Sequence, residues 1–283
     1  MSLISPQDLL ALLAGPAAPR VRICDVRWWL TDPGKGRRDY DAAHLPGAVF
    51  VDADTDLIAR EGPGRHPLPA PALFAARMAA IGIGDDTLVV AYDDAGGTIA
   101  ARLWWMLDDL GHTAVRVLDG GIDAWIAAGG PLTSEVPPAP AEPDRLHLRD
   151  RWTHTIDREA LASRLRAGDV SLLDARAPER YRGEVEPVDP VAGHIPGAVS
   201  RPTAGNLGPD GRFLAPDALR RRFEGFGGEI VNQCGSGVNA CHNALAMRIA
   251  GLPDPLLYPG SYSDWSRSGR PIATGDAPGS YEG

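Results

Sequence analysis

The sequence predicts an α/β protein made of two tandem copies of one domain, each with a mainly parallel sheet flanked by helices. Three observations predict this fold class. Short apolar segments of strand length alternate with segments of helical periodicity, the landmarks of the second half repeat those of the first, and a proline-rich stretch separates the halves. A chain of 283 residues, 44% of them hydrophobic, is large enough for two cores.

The first half alternates apolar strands with helices. A short helical opening precedes the apolar strand Val21–Arg27, and the polar, glycine-rich segment between this strand and Tyr40 is predicted to be a loop. A second loop, rich in Gly and Pro, runs to Pro71. Helices are then expected over Leu73–Ile81 and Thr98–Leu110, and buried parallel strands over Thr87–Tyr92 and Val115–Leu118.

The second half repeats this plan in the same order. Four segments correspond: Val170–Arg176 to Val21–Arg27, Gly193–Val199 to Ala43–Val49, Ile230–Met247 to Val89–Met106, and Tyr258–Trp265 to Leu118–Trp125. Matches of this kind indicate a duplicated domain and not a short-period solenoid. The join is rich in Pro, Ala and Glu and has the composition of a linker. We expect a first domain over 1–133, a linker over 134–148 and a second domain over 149–283.

One segment of the second half has the composition of a reactive site. A short strand at Ile230 leads into Cys234-Gly235-Ser236-Gly237, and an apolar helix follows from about Val238. The two glycines let backbone N–H groups converge on one point, and the N-terminus of the helix adds its positive dipole. A cysteine there is expected to be held as a thiolate nucleophile. The alternative is a buried packing cysteine, which is a common role of this residue type.

The first half lacks this cysteine. Its counterpart of Cys234 is Asp93, and a carboxylate cannot act as a thiol nucleophile. The first domain is therefore expected to be catalytically inactive.

Composition excludes several other classes. A net charge of −9 without a long basic run argues against a nucleic-acid partner, and no segment approaches the roughly 20 apolar residues that span a bilayer. The start of the chain has no pattern typical of a secretory signal, and three cysteines fit a reducing cytoplasm. Cys241 and His242 lie near Cys234, but no second ligand cluster accompanies them, so neither a metal site nor a cofactor is expected.

Two motifs resemble the signatures of the rhodanese superfamily. The first is Tyr40-x-x-x-His44-Leu45-Pro46-Gly47-Ala48-x-x-Val51, and the second is Leu257-Tyr258-Pro259-Gly260-Ser261 followed by Trp265. The loop Cys234–Val238 is similar to the Cys-Gly-Ser-Gly-Val-Thr loop of 3-mercaptopyruvate sulfurtransferases. The resemblance covers nearly the whole chain and points to the two-domain sulfurtransferases.

The resemblance implies a ping-pong sulfur transfer. The Cys234 thiolate takes sulfur from a small anionic donor, becomes a persulfide, and passes the sulfur to thioredoxin, a low-molecular-weight thiol or cyanide. The backbone from Gly235 through Gly237 and Val238 to Asn239 is expected to hold the donor and the persulfide charge.

Side chains are implied for the remaining steps. Ser236, His66 and Asp54 match a hydroxyl–imidazole–carboxylate set that moves a proton to the departing enolate. Arg180 matches an arginine that grips the negative group of the donor. As alternatives, His66 is a solvated loop histidine and Arg180 an ordinary surface residue. Asp52 and Asp56 compete with Asp54 for the carboxylate role.

The sequence leaves two candidate sulfur donors, 3-mercaptopyruvate and thiosulfate. The Cys234 loop and His66 favour 3-mercaptopyruvate, because thiosulfate-preferring relatives usually carry Arg and Lys after the cysteine. Mercaptopyruvate enzymes carry a second arginine nine residues after the one matched by Arg180, and Asp189 stands there instead. A carboxylate at this place is expected to repel a carboxylate donor, which keeps thiosulfate as the second candidate.

Two functions from other classes fit the sequence less well. A cysteine phosphatase needs Cys-x5-Arg, and Ala240 occupies the arginine position. A non-catalytic sulfur carrier or binding module would fit better if Cys234 were replaced, as its counterpart Asp93 is. His44 and His194 belong to the turn present in both halves and are therefore expected to be structural, as are the core residues Trp104, Trp105 and Cys241.

Overall fold

The computed structural model describes residues 2–282, which form two compact units. The first comprises the described residues up to Ala59 together with Pro69–Thr153 and Pro209–Phe213. The second comprises Arg60–Leu68, His154–Gly208 and the described residues from Leu214 onward. The units are thus interleaved in sequence, and the expected domain limits at residues 133 and 149 stay a prediction. In the described part of the chain, no helix has the length and apolar character needed to cross a bilayer.

The first unit is built on a sheet whose paired strands are all parallel. The strands are β1 Leu3–Ile4, β2 Val21–Asp25, β3 Val49–Phe50, β4 Leu88–Tyr92 and β5 Val115–Leu118, in the order β1-β5-β4-β2-β3. Its helices are α1 Pro6–Ala14, α2 Lys35–Ala42, α3 Ala53–Asp56, α4 Pro71–Ala80, α5 Ala100–Asp109 and α6 Gly121–Ala127, with a 3-10 helix at Ala18–Arg20. Every residue of α5 except Asp108 is buried, which explains why this helix is apolar nearly all round.

The second unit repeats the architecture with a four-stranded parallel sheet. The strands are β6 Val170–Asp174, β7 Ala198–Ser200, β8 Glu229–Gln233 and β9 Leu256–Leu257, in the order β7-β6-β8-β9. The helices are α7 Arg158–Ala167, α8 Pro178–Arg182, α9 Pro216–Phe223, α10 Asn239–Ile249 and α11 Ser261–Trp265, with a 3-10 helix at Thr203–Asn206. The predicted class of two mainly parallel α/β domains is confirmed.

The predicted loop between the first strand and Tyr40 is partly wrong. Its second half is α2, which begins after Gly34, a glycine in the left-handed region with φ of 81°. Two pairs at i and i+4 stabilise this polar helix, Lys35 with Asp39 and Arg37 with Asp41. Because α2 contains few apolar residues, it has no hydrophobic periodicity from which to predict a helix.

The predicted linker is ordered as part of the first unit. The backbone N–H of Asp144 donates to the carbonyl of Ala79 at 3.0 Å, and that of Asp85 donates to the carbonyl of Arg145 at 3.0 Å. The linker composition therefore marks the end of regular secondary structure, and the chain still follows the surface of the first unit.

Equivalent hydrogen bonds recur in the two units. The indole N–H groups of Trp125 and Trp265 donate to the carbonyls of Pro131 and Pro271, each at 2.9 Å. Strands β2 and β6 each end in a buried Asp-x-Arg pair, Asp25 with Arg27 and Asp174 with Arg176. The duplication read from the sequence is thus preserved down to individual contacts.

The repeated turn histidines are structural, as expected. Both are buried, and Nδ1 of His44 and His194 lies 2.6 and 2.8 Å from the carbonyl oxygens of Tyr40 and Tyr181, respectively. Each imidazole stacks on the ring of that same tyrosine at about 3.9 and 3.8 Å between centroids. Trp104, Trp105 and Cys241 are also buried.

The first unit keeps the glycine turn and fills it with a side chain of its own. Asp93 follows β4 and accepts hydrogen bonds from four backbone N–H groups at 2.7–2.9 Å, those of Ala95, Gly97, Ile99 and Ala100. The carboxylate of Asp93 is fully buried, so these bonds are its replacement for water. In the first unit this turn therefore binds a carboxylate that the chain itself supplies.

We expect Asp93→Ala to remove the acceptor of these four N–H groups, of which those of Gly97, Ile99 and Ala100 form buried bonds, and to cost about 3 kcal/mol or more in the free energy of unfolding. Urea unfolding measures the loss, and hydrogen exchange of amides 95–100 should be faster. Asp94→Asn is the matched control: burial raises the pKa of Asp94, so neutralising this carboxylate should not destabilise the fold. Equal losses for the two variants would contradict the role given to the turn.

Candidate active site

Cys234 lies where a central strand ends and a buried helix begins. Strand β8 is paired on both sides, with β6 and β9, and Cys234 is the next residue after it. Helix α10 starts five residues further on, with Val238 at its N-cap and Asn239 as its first residue. The carboxyl end of a parallel strand is where α/β sheets bind their ligands.

Two backbone N–H groups of the loop point at the sulfur of Cys234. The N–H of Gly237 donates to Sγ at 3.1 Å and that of Ser236 at 3.4 Å. Gly237 has φ of 82°, and a Cβ at this position would lie 2.7 Å from the carbonyl oxygen of Pro259. Only glycine fits at this position, so the glycine of the sequence motif is also what allows the cradle, the pair of N–H groups from Ser236 and Gly237 directed at Sγ.

The second signature loop holds the cysteine loop in place. The N–H of Cys234 donates to Ser261 Oγ at 3.2 Å, and the N–H of Tyr262 donates to the carbonyl of Cys234 at 3.0 Å. Ser261 has φ of 53°, a left-handed conformation that is uncommon for a residue with a side chain. The neighbouring loop therefore fixes both sides of the Cys234 peptide.

The structure brings Ser236 and His66 together. Nδ1 of His66 lies 2.7 Å from Oγ of Ser236, and each residue is only 7% exposed. His66 is carried by Arg60–Leu68, the part of the first half that belongs to the second unit. This segment is fastened by a hydrogen bond from the N–H of Arg65 to Ser263 Oγ at 2.9 Å. The alternative of a solvated loop histidine does not fit this burial.

Asp54 belongs to the first unit. It is exposed on the short helix α3, and its N–H donates to Oδ1 of Asp52, the N-cap of that helix, at 3.0 Å. Asp56 is half-buried, and burial raises the pKa of its carboxyl. The contribution of Asp54 to the proposed proton path stays a prediction.

Arg180 stands beside the cysteine loop and is held by an acidic partner. A Cβ placed on Gly235 would lie 3.4 Å from Nη1 of Arg180. Nη2 of Arg180 donates to Glu186 Oε1 at 2.7 Å. Burial alone would raise the pKa of Glu186, but hydrogen bonds from Arg180 and from two backbone N–H groups hold it below its ordinary value. Glu186 thus remains an anion that orients Arg180.

Sequence reasoning missed Arg65, which approaches the same loop. Its Nη2 would lie 3.2 Å from a Cβ on Gly235, and its Nη1 donates to Asp189 Oδ1 at 2.8 Å. The only available signal was its position beside His66, because the contact with Asp189 spans 124 residues of sequence.

Cys234 is 2% exposed, and no group of three or more possible metal ligands occurs among residues 2–282. Cys241, within α10, is fully buried and its thiol donates to the carbonyl of Gly237 at 3.3 Å. A resolving role for Cys241 has no support in this geometry, whereas a packing role does.

The fold and this site define a class: a duplicated α/β protein with a cysteine seated in a backbone anion cradle of its second copy. The chain belongs to the rhodanese family, since the profile "Rhodanese-like domain" matches residues 5–128 and 157–268.

Relatives of similar length carry sulfurtransferase names. The chain is 47% identical to "Probable 3-mercaptopyruvate sulfurtransferase" of Pseudomonas aeruginosa, over 97% of this chain and 98% of that protein. It is 35% identical to the thiosulfate sulfurtransferase of Bos taurus, over 89% and 87%. Among solved structures, SseA from Escherichia coli, described as a 3-mercaptopyruvate sulfotransferase, matches with a TM-score of 0.79 and 28% identity over 93% and 100% of the two chains.

We expect Glu186→Gln to lower the free energy of unfolding at pH 7 by about 1–3 kcal/mol, because it removes charge-assisted hydrogen bonds. The folded-state pKa of Glu186 is depressed, so its stabilisation is present above the ordinary value of 4.5 and is lost as the pH falls through the folded value. Urea unfolding at pH 7, 5 and 4 should show the difference between wild type and variant shrinking with acid.

Glu184→Gln serves as the control for that series. Glu184 pairs with Arg182 on the surface, where water screens the interaction, and its replacement should leave stability unchanged at every pH. A pH-independent loss in Glu186→Gln would contradict the assignment of its charge.

Proposed function

We propose that this protein is a sulfurtransferase that moves a sulfur atom from a small anionic donor to a thiol or cyanide through a persulfide on Cys234. The observation that carries the proposal is the pair of backbone N–H groups aimed at Sγ of Cys234 from Ser236 and Gly237. Fixed dipoles of this kind stabilise a sulfur anion before and after it accepts a second sulfur. Relatives of both sulfurtransferase names match over nearly their full lengths.

The first half-reaction is written for 3-mercaptopyruvate as the favoured donor. The Cys234 thiolate attacks the thiol sulfur of the donor, the new S–S bond forms, and the C–S bond breaks with its electron pair going to carbon. Cys234 then carries –S–SH, and the departing enolate takes up a proton to become pyruvate. No external oxidant or reductant is consumed, because the electron pair of the C–S bond reduces the donor carbon and so balances the oxidation of sulfur in the new S–S bond.

The proton is proposed to come through Ser236 and His66. Their 2.7 Å contact lets the imidazole hold the hydroxyl while it donates to the enolate carbon, and the imidazole resupplies the proton. Asp54 is proposed to orient the imidazole as the third member of this set. The short contact also explains why a serine stands between the two loop glycines.

The second half-reaction returns the enzyme to its starting state. A thiolate or cyanide attacks the outer sulfur, the S–S bond breaks, and Cys234 is released as thiolate in its cradle. Thioredoxin and a low-molecular-weight thiol are equally compatible acceptors. Neither a nucleic acid nor a membrane surface is needed by this scheme.

Thiosulfate is the second candidate donor. The bovine relative is named a thiosulfate sulfurtransferase, and Asp189 stands where a second arginine is expected in the mercaptopyruvate enzymes. The contact between Ser236 and His66 nevertheless favours mercaptopyruvate, because sulfite leaves thiosulfate without a proton transfer to carbon. A carrier without catalysis is less well supported, since it does not need this relay.

We also propose a state for the first domain and a cellular location for the protein. With Asp93 filling its turn, the first domain is proposed to be catalytically inactive. A reducing compartment such as the cytoplasm fits three free cysteines.

We expect incubation with 3-mercaptopyruvate to add one sulfur atom to Cys234, detected by mass spectrometry of the intact chain and its peptides. Cys234→Ser should carry no added sulfur and should transfer none to cyanide. Cys241→Ala is the matched control and should keep the transfer, because its sulfur lies in α10 and outside the cradle. Added sulfur on Cys241 instead of Cys234 would sink the assignment. A kcat/KM for thiosulfate about tenfold above that for mercaptopyruvate would reverse the choice of donor.

We expect His66→Ala to lower kcat with 3-mercaptopyruvate by about 100-fold and to change turnover of thiosulfate far less. Asp54→Asn should cause a smaller loss in the same direction. His147→Ala removes an exposed histidine of the first unit and should leave both rates unaltered. Equal losses with the two donors would show that His66 supports the loop and moves no proton.

A further inference from the structure

Two arginines from distant parts of the sequence approach the same glycine of the cysteine loop. A Cβ on Gly235 would lie 3.2 Å from Nη2 of Arg65 and 3.4 Å from Nη1 of Arg180. Glycine leaves this space open, and the two guanidinium groups border it. Both side chains are 20% exposed, whereas Cys234 is 2% exposed, so the two arginines are more accessible than the sulfur.

Asp189 ties these arginines together. Its side chain is fully buried and accepts hydrogen bonds from Arg65 at 2.8 Å, from Arg180 at 3.3 Å and from Arg267 at 3.2 Å. A buried carboxylate with several arginine partners is compensated, and it holds the guanidinium planes in a fixed orientation. The repulsion of a carboxylate donor expected from Asp189 alone is therefore offset.

The cluster keeps an excess of positive charge. Within the described residues, the three guanidinium groups of Arg65, Arg180 and Arg267 face two carboxylates, Glu186 and Asp189. The nearby Arg176 is balanced by its own buried partner Asp174. One positive charge thus remains to attract an anion.

Arg65 has hydrogen-bonding capacity left for that anion. Nη1 of Arg65 donates to Asp189, while Nε of Arg65 is buried and has no hydrogen-bond partner among residues 2–282. A buried donor without a partner is costly, and an arriving acceptor would satisfy it. Nη2 of the same group faces Gly235.

We propose that Arg65 is a donor-binding residue that grips the anionic group of the sulfur donor together with Arg180, and that Asp189 favours singly charged donors by holding both guanidinium groups and cancelling part of their charge. This inference rests on the proposed sulfur transfer and names the subsite for its donor. Arg65 takes the place of the second arginine that is missing at position 189.

Arg267 provides an internal comparison. It contacts Asp189 as Arg65 does, but its side chain is 52% exposed, and Gly235 has Arg65 and Arg180 as the nearest neighbours of its Cβ position. If balancing the charge of Asp189 were the whole role of Arg65, losing either arginine would have the same effect. If Arg65 binds the donor, losing Arg65 should have a larger effect on donor binding than losing Arg267.

The test compares wild type, Arg65→Gln, Arg65→Lys and Arg267→Gln. For Arg65→Gln we expect KM for 3-mercaptopyruvate to rise about tenfold or more, with kcat within about threefold, because a charge-assisted contact made to the bound donor is lost. The dissociation constant of pyruvate, a carboxylate probe without donor sulfur, should rise in parallel when measured by calorimetry. Arg65→Lys should recover part of the affinity. Arg267→Gln removes one charge of the cluster but no contact with the bound donor, so it should raise KM by a clearly smaller factor than Arg65→Gln.

The outcomes separate this inference from the proposed function. Equal shifts in Arg65→Gln and Arg267→Gln, or no shift in either, overturn the role of Arg65 even if wild type forms the Cys234 persulfide. If wild type forms no persulfide with any donor, sulfur transfer fails, and pyruvate calorimetry still decides whether Arg65 binds a carboxylate. Melting temperatures of the variants show whether the fold is intact.

The role of Asp189 has its own measurement. Asp189→Asn gives the cluster one more positive charge, and thiosulfate carries two negative charges where mercaptopyruvate carries one carboxylate. In Asp189→Asn, the ratio of kcat/KM for thiosulfate to that for mercaptopyruvate should be at least about threefold higher than in wild type. Added salt should reduce this gain, because it screens the extra charge. An unchanged or lowered ratio contradicts the charge-selection role.

Discussion

The structure around the site depends on one interaction, the convergence of backbone N–H groups on a negative atom at a glycine turn. A glycine-containing turn follows a central strand in both units. In the first unit it holds the carboxylate of Asp93 through four N–H groups, and in the second it directs two N–H groups at the sulfur of Cys234. The first copy is therefore a natural demonstration that this turn binds anions. The duplicated fold thus keeps backbone N–H groups directed at the residue after the central strand, although the sequence of the turn and the identity of that residue differ between the units.

The cradle is rigid because neighbouring backbone and side-chain groups pack against it and hydrogen-bond to it. Gly237 closes against the carbonyl of Pro259, and the loop carrying Ser261 grips both the N–H and the carbonyl of Cys234. Dipoles fixed in this way need no reorganisation when charge arrives on sulfur, which is the condition for effective electrostatic stabilisation. The left-handed conformation of Ser261 is consistent with strain retained at a functional position.

Charge next to the cradle is set by a group of side chains acting together. Asp189 taken alone argues against a carboxylate donor, but its three arginine partners leave the cluster net positive. The electrostatic effect of a residue is a property of its neighbours as much as of its own charge. Donor choice is thus a question about the whole cluster, which a single aligned position does not answer.

The sequence by itself determined the α/β class, the duplication and the Cys234 loop, because strand periodicity and glycine-turn chemistry are local and are written within a few residues. The polar helix α2 escaped it, since ion pairs at i and i+4 leave no hydrophobic pattern. The family resemblance implied that His66 acts with Ser236, but only tertiary structure decided that Arg60–Leu68 joins the second unit and brings Arg65 to Asp189. Those contacts join residues more than 120 positions apart, and no local pattern encodes which distant charge a side chain will meet.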